Sequence, residues 1–403
     1  MSTSIAFLSG KGGSGKTTLA LSMANLLCKC GIKTLLIDCD MSTNGATYFY
    51  ESQLVDRSHG EQTKLLSFSA ILSGEDFSLA PSIFEISPNL AFIPSVSEFS
   101  DHHLSVTVEN NNRNVERTIH NFLYWVQSRY DVILFDCQAG YTDILPVLLP
   151  LMDVDLFVLE ADSISASSMR SLHLKIGKSL GRARLYQVFN KATQEEFEIY
   201  SKIVGTFFTN IGTLLFDWKI RQAFSRAQVP DLEYTSAKFG ADLCDICKII
   251  FPDKPIKRKL DSFSDSLSYR ELKEKHKAIE DNLYKFARKS SFSKFLPLSL
   301  SVVSLYVAVM SVALPNWFDI YIPGIENMMT VVMALTSVIL VYSVWVESDS
   351  FQEKRKTRQK YERELREIDR ELEKMASKLS RNSSDNEDGI LQTKSPKNNR
   401  MTP

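Results

Sequence analysis

The 403-residue chain carries 47 Lys and Arg against 48 Asp and Glu, a net charge of -1. That balance excludes a global attraction to nucleic acid or acidic lipid, so any such attraction is local. The length fits one large domain with added elements, or two to three domains. The six cysteines (Cys28, Cys30, Cys39, Cys137, Cys244 and Cys247) are too few and scattered for a disulfide framework, and suit a reducing compartment.

Up to about residue 252, short apolar runs alternate with helical stretches. "SIAFLS", "KTLLID", "DVILFD" and "DLFVLE" are dense in Ile, Leu, Val and Phe, as strands buried on both faces are. Strands separated by helices predict an α/β fold with a mostly parallel sheet flanked by helices. The first run has no basic stretch before it and leads straight into a glycine loop, so it does not read as a signal peptide.

That loop is "SGKGGSGKTT", residues 9–18, in which Gly10, Gly15, Lys16 and Thr17 meet the phosphate-loop pattern. Residues 16–30 read as a helix, with Leu19, Met23, Leu26, Leu27 and Cys30 on one face and Gly31 as its stop. A glycine loop between strand and helix lets backbone N–H groups point at phosphate oxygens, helped by the partial positive charge of the helix N-terminus. Lys16 sets a cation against the β and γ phosphates of ATP, and Thr17 offers a hydroxyl to Mg²⁺.

The loop holds one lysine more than a phosphate site needs. Lys11, followed by Gly12, Gly13, Ser14, Gly15, Lys16, Thr17 and Thr18, resembles the KGGxGKTT loop of the ParA/MinD family of ATPases. The resemblance implies that Lys11 reaches across an ATP-bridged homodimer to the phosphates of the other copy, like an arginine finger. The alternative is a surface lysine with no such partner. Gly10 to Thr18, Lys11 included, are then nucleotide-binding, and Lys11, Lys16 and Asp40 catalytic. "LLIDCDMSTNGAT" is similar to the family's second strand and first switch, which implies that Asp40 orients the attacking water and Asp38 lies near the Mg²⁺ shell. "YDVILFDCQAGYTD" implies that Asp136 holds Mg²⁺ water and that the N–H of Gly140 senses the γ-phosphate. Cys137-Gln138 stands where the family often has a proline. "PNLAFIPS" resembles the strand before the family's central helix. "LYQVFNKAT" implies a base contact by Asn190. "FDWKIRQAFSRAQVP" resembles the segment running into the last helices, although the usual proline before Asp217 is missing. The resemblance covers about residues 2–250; the stretch from Tyr48 to Ser87 carries none of it.

Two weaker signals lie in the same region. Cys244 and Cys247 form a CxxC, which two copies could turn into a zinc site, but "ADLCDICKII" also reads as a helix with two buried thiols. His102-His103 reads as surface loop.

Beyond residue 252 the pattern changes. Residues 253–294 form a charged helical connector with Leu272, Ile279, Leu283 and Phe286 in roughly heptad spacing. Phe295–Leu314 and Met328–Val346 contain no charged residue, and each is long enough to cross ~30 Å of hydrocarbon as a helix. Lys285, Arg288, Lys289 and Lys294 precede the pair, and Lys354, Arg355, Lys356, Arg358 and Lys360 follow it. The connection holds Asp319 and Glu326 and no basic residue. These features predict a transmembrane hairpin over 295–346, in the inner (cytoplasmic) membrane, with both termini cytoplasmic. Residues 347–381 repeat apolar positions at Tyr361, Leu365, Ile368, Leu372, Met375 and Leu379, a coiled-coil-like seam, and 382–403 read as a disordered tail.

The functional expectation is a membrane-anchored, ATP-dependent dimerising switch ATPase that positions or gates a protein partner. One alternative is a membrane effector whose nucleotide-driven assembly acts through the hairpin. Another is a DNA-partition ATPase, for which Lys254, Lys257, Arg258 and Lys259 give one local basic patch. A membrane tyrosine kinase is disfavoured, because no tyrosine follows Tyr361.

Overall fold

The computed structural model describes residues 2–60, 65–74, 83–96, 112–193, 195–196, 198–199, 208–232, 237–285 and 355–380. The chain divides into two compact units, 1–268 and 269–403. In the first, eight strands build one sheet: β1 (Thr3–Leu8), β2 (Thr34–Asp38), β3 (Phe84–Ser87), β4 (Leu90–Ile93), β5 (Val132–Asp136), β6 (Val154–Leu159), β7 (Arg184–Ala192) and β8 (Thr209–Leu215), in the spatial order β3-β4-β2-β5-β1-β6-β7-β8. Every neighbouring pair is parallel except the edge pair β3/β4. The expected mostly parallel sheet is therefore present.

The four central strands, β2, β5, β1 and β6, read as continuous apolar runs because both sheet faces are covered. Ile5, Phe7, Leu36, Leu134 and Leu156 enter the core on one face, while Ala6, Leu8, Leu35, Ile133 and Phe157 enter the core on the other. The first face is covered by α1 (Lys16–Lys29), whose Leu19, Met23, Leu26 and Leu27 are buried as the sequence spacing predicts. The other face is covered by α3 (Phe68–Leu72), α4 (Asn112–Gln127), α5 (Leu145–Leu148) and α6 (Ser163–Ile176). Between β2 and β4 the unrecognised stretch supplies α2 (Thr47–Gly60), α3 and β3.

After β8 come α7 (Trp218–Ser225) and α8 (Ala237–Ile250). Cys244 and Cys247 lie on α8, fully buried in the core, and burial pushes the Cys244 thiol up to about 12. They act as small apolar side chains, and no metal-ligating cluster exists among the described residues. The unit ends later than the sequence boundary at 252. Residues 254–268 are helical, and Leu260 and Leu267 are buried in the same unit. Gly240 allows this approach, since a Cβ there would lie 2.6 Å from Leu267 Cδ1.

In the second unit, residues 269–285 and 355–380 are helical. Tyr269, Leu272, His276, Ile279 and Leu283 are half-buried on the first of these helices. On the second, Tyr361, Leu365, Ile368, Leu372, Met375 and Leu379 are half-buried. His276 Nε2 lies 3.0 Å from Asp369 Oδ1, which brings the two helices together. No helix among the described residues is long and apolar enough to cross a membrane. The two apolar runs at 295–314 and 328–346, Phe286, the His102-His103 pair and the tail 382–403 lie outside the described residues.

Candidate nucleotide site

A parallel sheet gathers the C-terminal ends of its strands on one edge, and the loops that leave those ends carry the site. Parallel pairing sets Asp136, at the end of β5, between Asp38 of β2 and Phe7 of β1. The glycine loop leaves β1 at Ser9 and enters α1 at Lys16. Gly15 caps α1 with φ of 83°. A Cβ there would also lie 2.2 Å from Asn190 Nδ2, so Asn190 packs against the loop because Gly15 has no side chain.

Lys16 Nζ lies 2.7 Å from Asp136 Oδ1, with 6% and 0% side-chain exposure. Burial opposes the lysine's charge, but the Asp136 carboxylate outweighs it and raises the Lys16 pKa. Asp136 Oδ2 is buried and makes no hydrogen bond among the described residues. Asp38 accepts from Thr47 N and Thr47 Oγ1, both at 2.7 Å, and from Asp40 N at 3.0 Å. Burial, then the charge of Asp136, push its carboxyl up to about 7. Asp40 accepts from Ser42 N, Ser42 Oγ, Thr43 N and Thr43 Oγ1 at 2.7–3.1 Å. Burial works against its charge, yet the Thr43 and Ser42 donors hold its carboxyl below the usual range. Asp40 is thus an anion held in one orientation at the cleft wall.

Lys11 points elsewhere. Its Nζ lies 2.8 Å from Glu160 Oε2 and 2.9 Å from Asp162 Oδ2, at 26% side-chain exposure. The hydrogen bond to Glu160 leads in raising the Lys11 pKa. Glu160 also pairs with Lys191 at 3.0 Å, and Lys191 Nζ donates to Gly13 O.

A cleft of about 600 Å³ follows the loop, lined by Gly12 to Thr18, Asp40, Asn190 and Lys191. Its far end is formed by Phe216, Ile220 and Phe224, in and just before α7. Gly10, Lys11, Asp38, Asp136 and Gly140 are not among the lining residues. The fold therefore gathers the residues expected to hold phosphate, but commits some of their groups. Asn190 Nδ2 donates to Ser14 O at 2.9 Å, and Gly140 N donates to Ser9 O at 2.8 Å. Asp217 caps α7, accepting from Lys219 N at 2.8 Å.

Sequence reasoning missed Glu160, Asp162 and Lys191, along with the apolar end of the cleft. The four-residue spacing of Ile220 and Phe224 marks one helix face and was the available signal for the latter.

Residues 2–179 match the family model described as AAA domain (AAA_31). The chain is similar to that family over those residues, and the first unit has the fold of a P-loop ATPase. An ATP-binding protein of Methanocaldococcus jannaschii, MJ0547, is 25% identical over 258 residues, covering 63% of this chain and 83% of its own length. The cell division protein PomZ of Myxococcus xanthus is 32% identical over 148 residues, 34% of this chain and 39% of PomZ. A solved plasmid partition protein of Borrelia burgdorferi, bound to AMPPNP, shares 22% identity at a TM-score of 0.50, covering 62% of this chain and 99% of its own. That last likeness concerns the fold.

Proposed function

We propose that this chain is a membrane-anchored switch ATPase whose two copies close around ATP and, in that state, position or gate a protein partner. The observation that carries the reading is the pair of lysines in one loop. Lys16 lies in the cleft wall against Asp136, whereas Lys11 is absent from its own cleft and half-exposed. A cation that serves no phosphate at home is free to serve one in a second copy.

In this reading charge on the transferring phosphoryl group is stabilised by Lys16, which stays beside Asp136, and by Lys11 of the other copy. Asp40, held as an anion by four donors, accepts a hydrogen bond from the attacking water and orients it. Mg²⁺ fits Thr17, Asp136 and Asp38, because Asp136 Oδ2 is buried without a partner. When bound it would supply charge neutralisation at the phosphates. The apolar end formed by Phe216, Ile220 and Phe224 suits a nucleotide base.

The two uncharged runs, 295–314 and 328–346, support an anchor in the inner membrane with both termini cytoplasmic. Two spanning helices do not detach on an ATP cycle, so ATP would control pairing in the membrane plane, where tethering raises effective concentration. The half-buried heptad positions of 269–285 and 355–380, with the His276–Asp369 contact, support a coiled-coil-like stalk. Cell division and plasmid partition, for which PomZ and the Borrelia protein are named, suit an ATPase that positions cargo.

The test is light scattering of the full chain in detergent with ADP, with ATP, and with ATP on Asp40→Ala. Dimers that persist only with ATP on the variant support the switch. The same mass under all three conditions refutes it.

A further inference from the structure

We propose that Glu160 and Asp162 are positioning residues that hold Lys11 within its own copy and so set the ATP concentration at which two copies join. The proposal rests on the reading of Lys11 as a cation delivered to a second copy.

Each carboxylate has a partner besides Lys11, a backbone N–H for Asp162 and Lys191 for Glu160. Asp162 caps α6, its Oδ1 accepting from Ser165 N at 2.6 Å, which leaves Oδ2 for Lys11 at 2.9 Å. Glu160 follows β6, and its N donates to Ser165 Oγ at 3.0 Å. Its Oε1 takes Lys191 at 3.0 Å and its Oε2 takes Lys11 at 2.8 Å. Each acid therefore offers Lys11 one oxygen while its other oxygen is fixed elsewhere. Two carboxylates and two ammonium groups balance, so Lys11 at home is electrically satisfied.

The pairing is releasable. The side chains of Lys11, Glu160 and Asp162 are 26%, 24% and 39% exposed, where ion pairs are weak. A nucleotide triphosphate concentrates more negative charge than the two acids do, and can win Lys11 from them. Lys191 would then remain on Glu160 and on Gly13 O, so the loop stays tethered after Lys11 leaves. Nothing in the cleft requires Glu160 or Asp162, which are absent from its lining. Their consequence is a threshold, since any dimer must first break both pairs twice, once in each copy.

The test uses full-length Glu160→Gln/Asp162→Asn in detergent. Asn preserves the α6 cap, and Gln still accepts from Lys191. The first readout is amine-reagent labelling of Lys11 without nucleotide, with Lys29, paired to Asp231 at 2.9 Å, as the internal reference. The second is the ATP midpoint for dimer formation. We expect faster Lys11 labelling at an unchanged Lys29 rate, and a midpoint lowered about threefold to tenfold. Unchanged Lys11 labelling overturns the inference. Faster labelling with an unchanged midpoint also overturns it, and Lys11→Ala then tells which idea failed. If Lys11→Ala joins copies and hydrolyses ATP like the parent chain, the second-copy reading itself is wrong; if it does not, only the restraint by the two acids is wrong. Should the double variant fail to fold, Glu160→Gln alone is read by the same two measurements, with smaller shifts expected in each.

Discussion

Two lysines five positions apart in one loop meet carboxylates at nearly the same distance, 2.7 Å for Lys16 and 2.8–2.9 Å for Lys11. They differ in burial. Lys16 and Asp136 are closed off from water, so either charge alone would be costly, and the pair is integral to the fold. Lys11, Glu160 and Asp162 share their charges with solvent, so separating them costs little. Pairing distance alone says nothing about which contact can be broken. The surroundings decide it, and they divide one loop into a fixed half and a releasable half.

The sharpest way to break this comparison is to remove each lysine in turn. Lys16→Ala leaves Asp136 buried and unpaired, and should destabilise the first unit by about 3–5 kcal/mol while abolishing hydrolysis. Adding Asp136→Asn should recover much of the stability, because the lone charge is gone, and none of the activity. Urea unfolding and phosphate release measure the two effects. If Lys16→Ala unfolds at the parent's urea concentration, the buried half of the comparison is wrong.

Lys11→Ala should separate the two quantities. The loss of two half-exposed pairs should change stability by less than about 1 kcal/mol. Hydrolysis should fall about a thousandfold, if Lys11 acts as a finger supplied to the other copy. Mixing Lys11→Ala with a copy defective only in Asp40 gives a further check. In a mixed pair the site holding a working Asp40 belongs to the Lys11→Ala copy and receives its lysine from the other, so some activity should return.

The fixed half of the loop was legible in the sequence and the releasable half was not. Gly15, Lys16 and Thr17 are recognisable because phosphate binding constrains backbone and spacing together, and strand and helix flank them locally. Asp38 and Asp40 were legible for the same reason, being two positions apart at a strand end. Glu160 and Asp162 sit 149 and 151 positions from Lys11, and only the placement of β6 beside β1 makes them neighbours. "DLFVLEAD" announces a strand and says nothing about which strand it lies beside. Asn190 shows a related limit. Its place at the end of β7 was readable, but its donation to Ser14 O depends on how closely Gly15 lets it approach. The heptad spacing after 252 was readable too, yet the burial of Leu260 and Leu267 in the first unit was not, because charge along that helix masks its apolar positions.

A third carboxylate sharpens the comparison further. Asp155 on β6 is fully buried like Asp136, but among the described residues neither of its oxygens has a hydrogen-bond partner. Asp136 has Lys16 to hold its charge; among the described residues no such cation pairs with Asp155, and burial pushes its carboxyl up to about 7. The sign follows from linkage. A carboxyl raised in the folded state binds its proton more tightly there than in the unfolded chain, so its contribution is fully present below the unfolded value near pH 4. That contribution is lost as pH rises toward 7, and above 7 the folded state carries a buried, unsatisfied anion. Asp155→Asn removes the ionisation and keeps the shape. It should therefore raise stability at pH 8 by about 2–4 kcal/mol relative to the parent and change it far less at pH 4, at roughly 1.4 kcal/mol per unit of displacement. Urea unfolding of both proteins at the two pH values decides it. Equal gains at both would mean that Asp155 finds a partner on ionising, and that burial alone does not distinguish the carboxylates of this sheet.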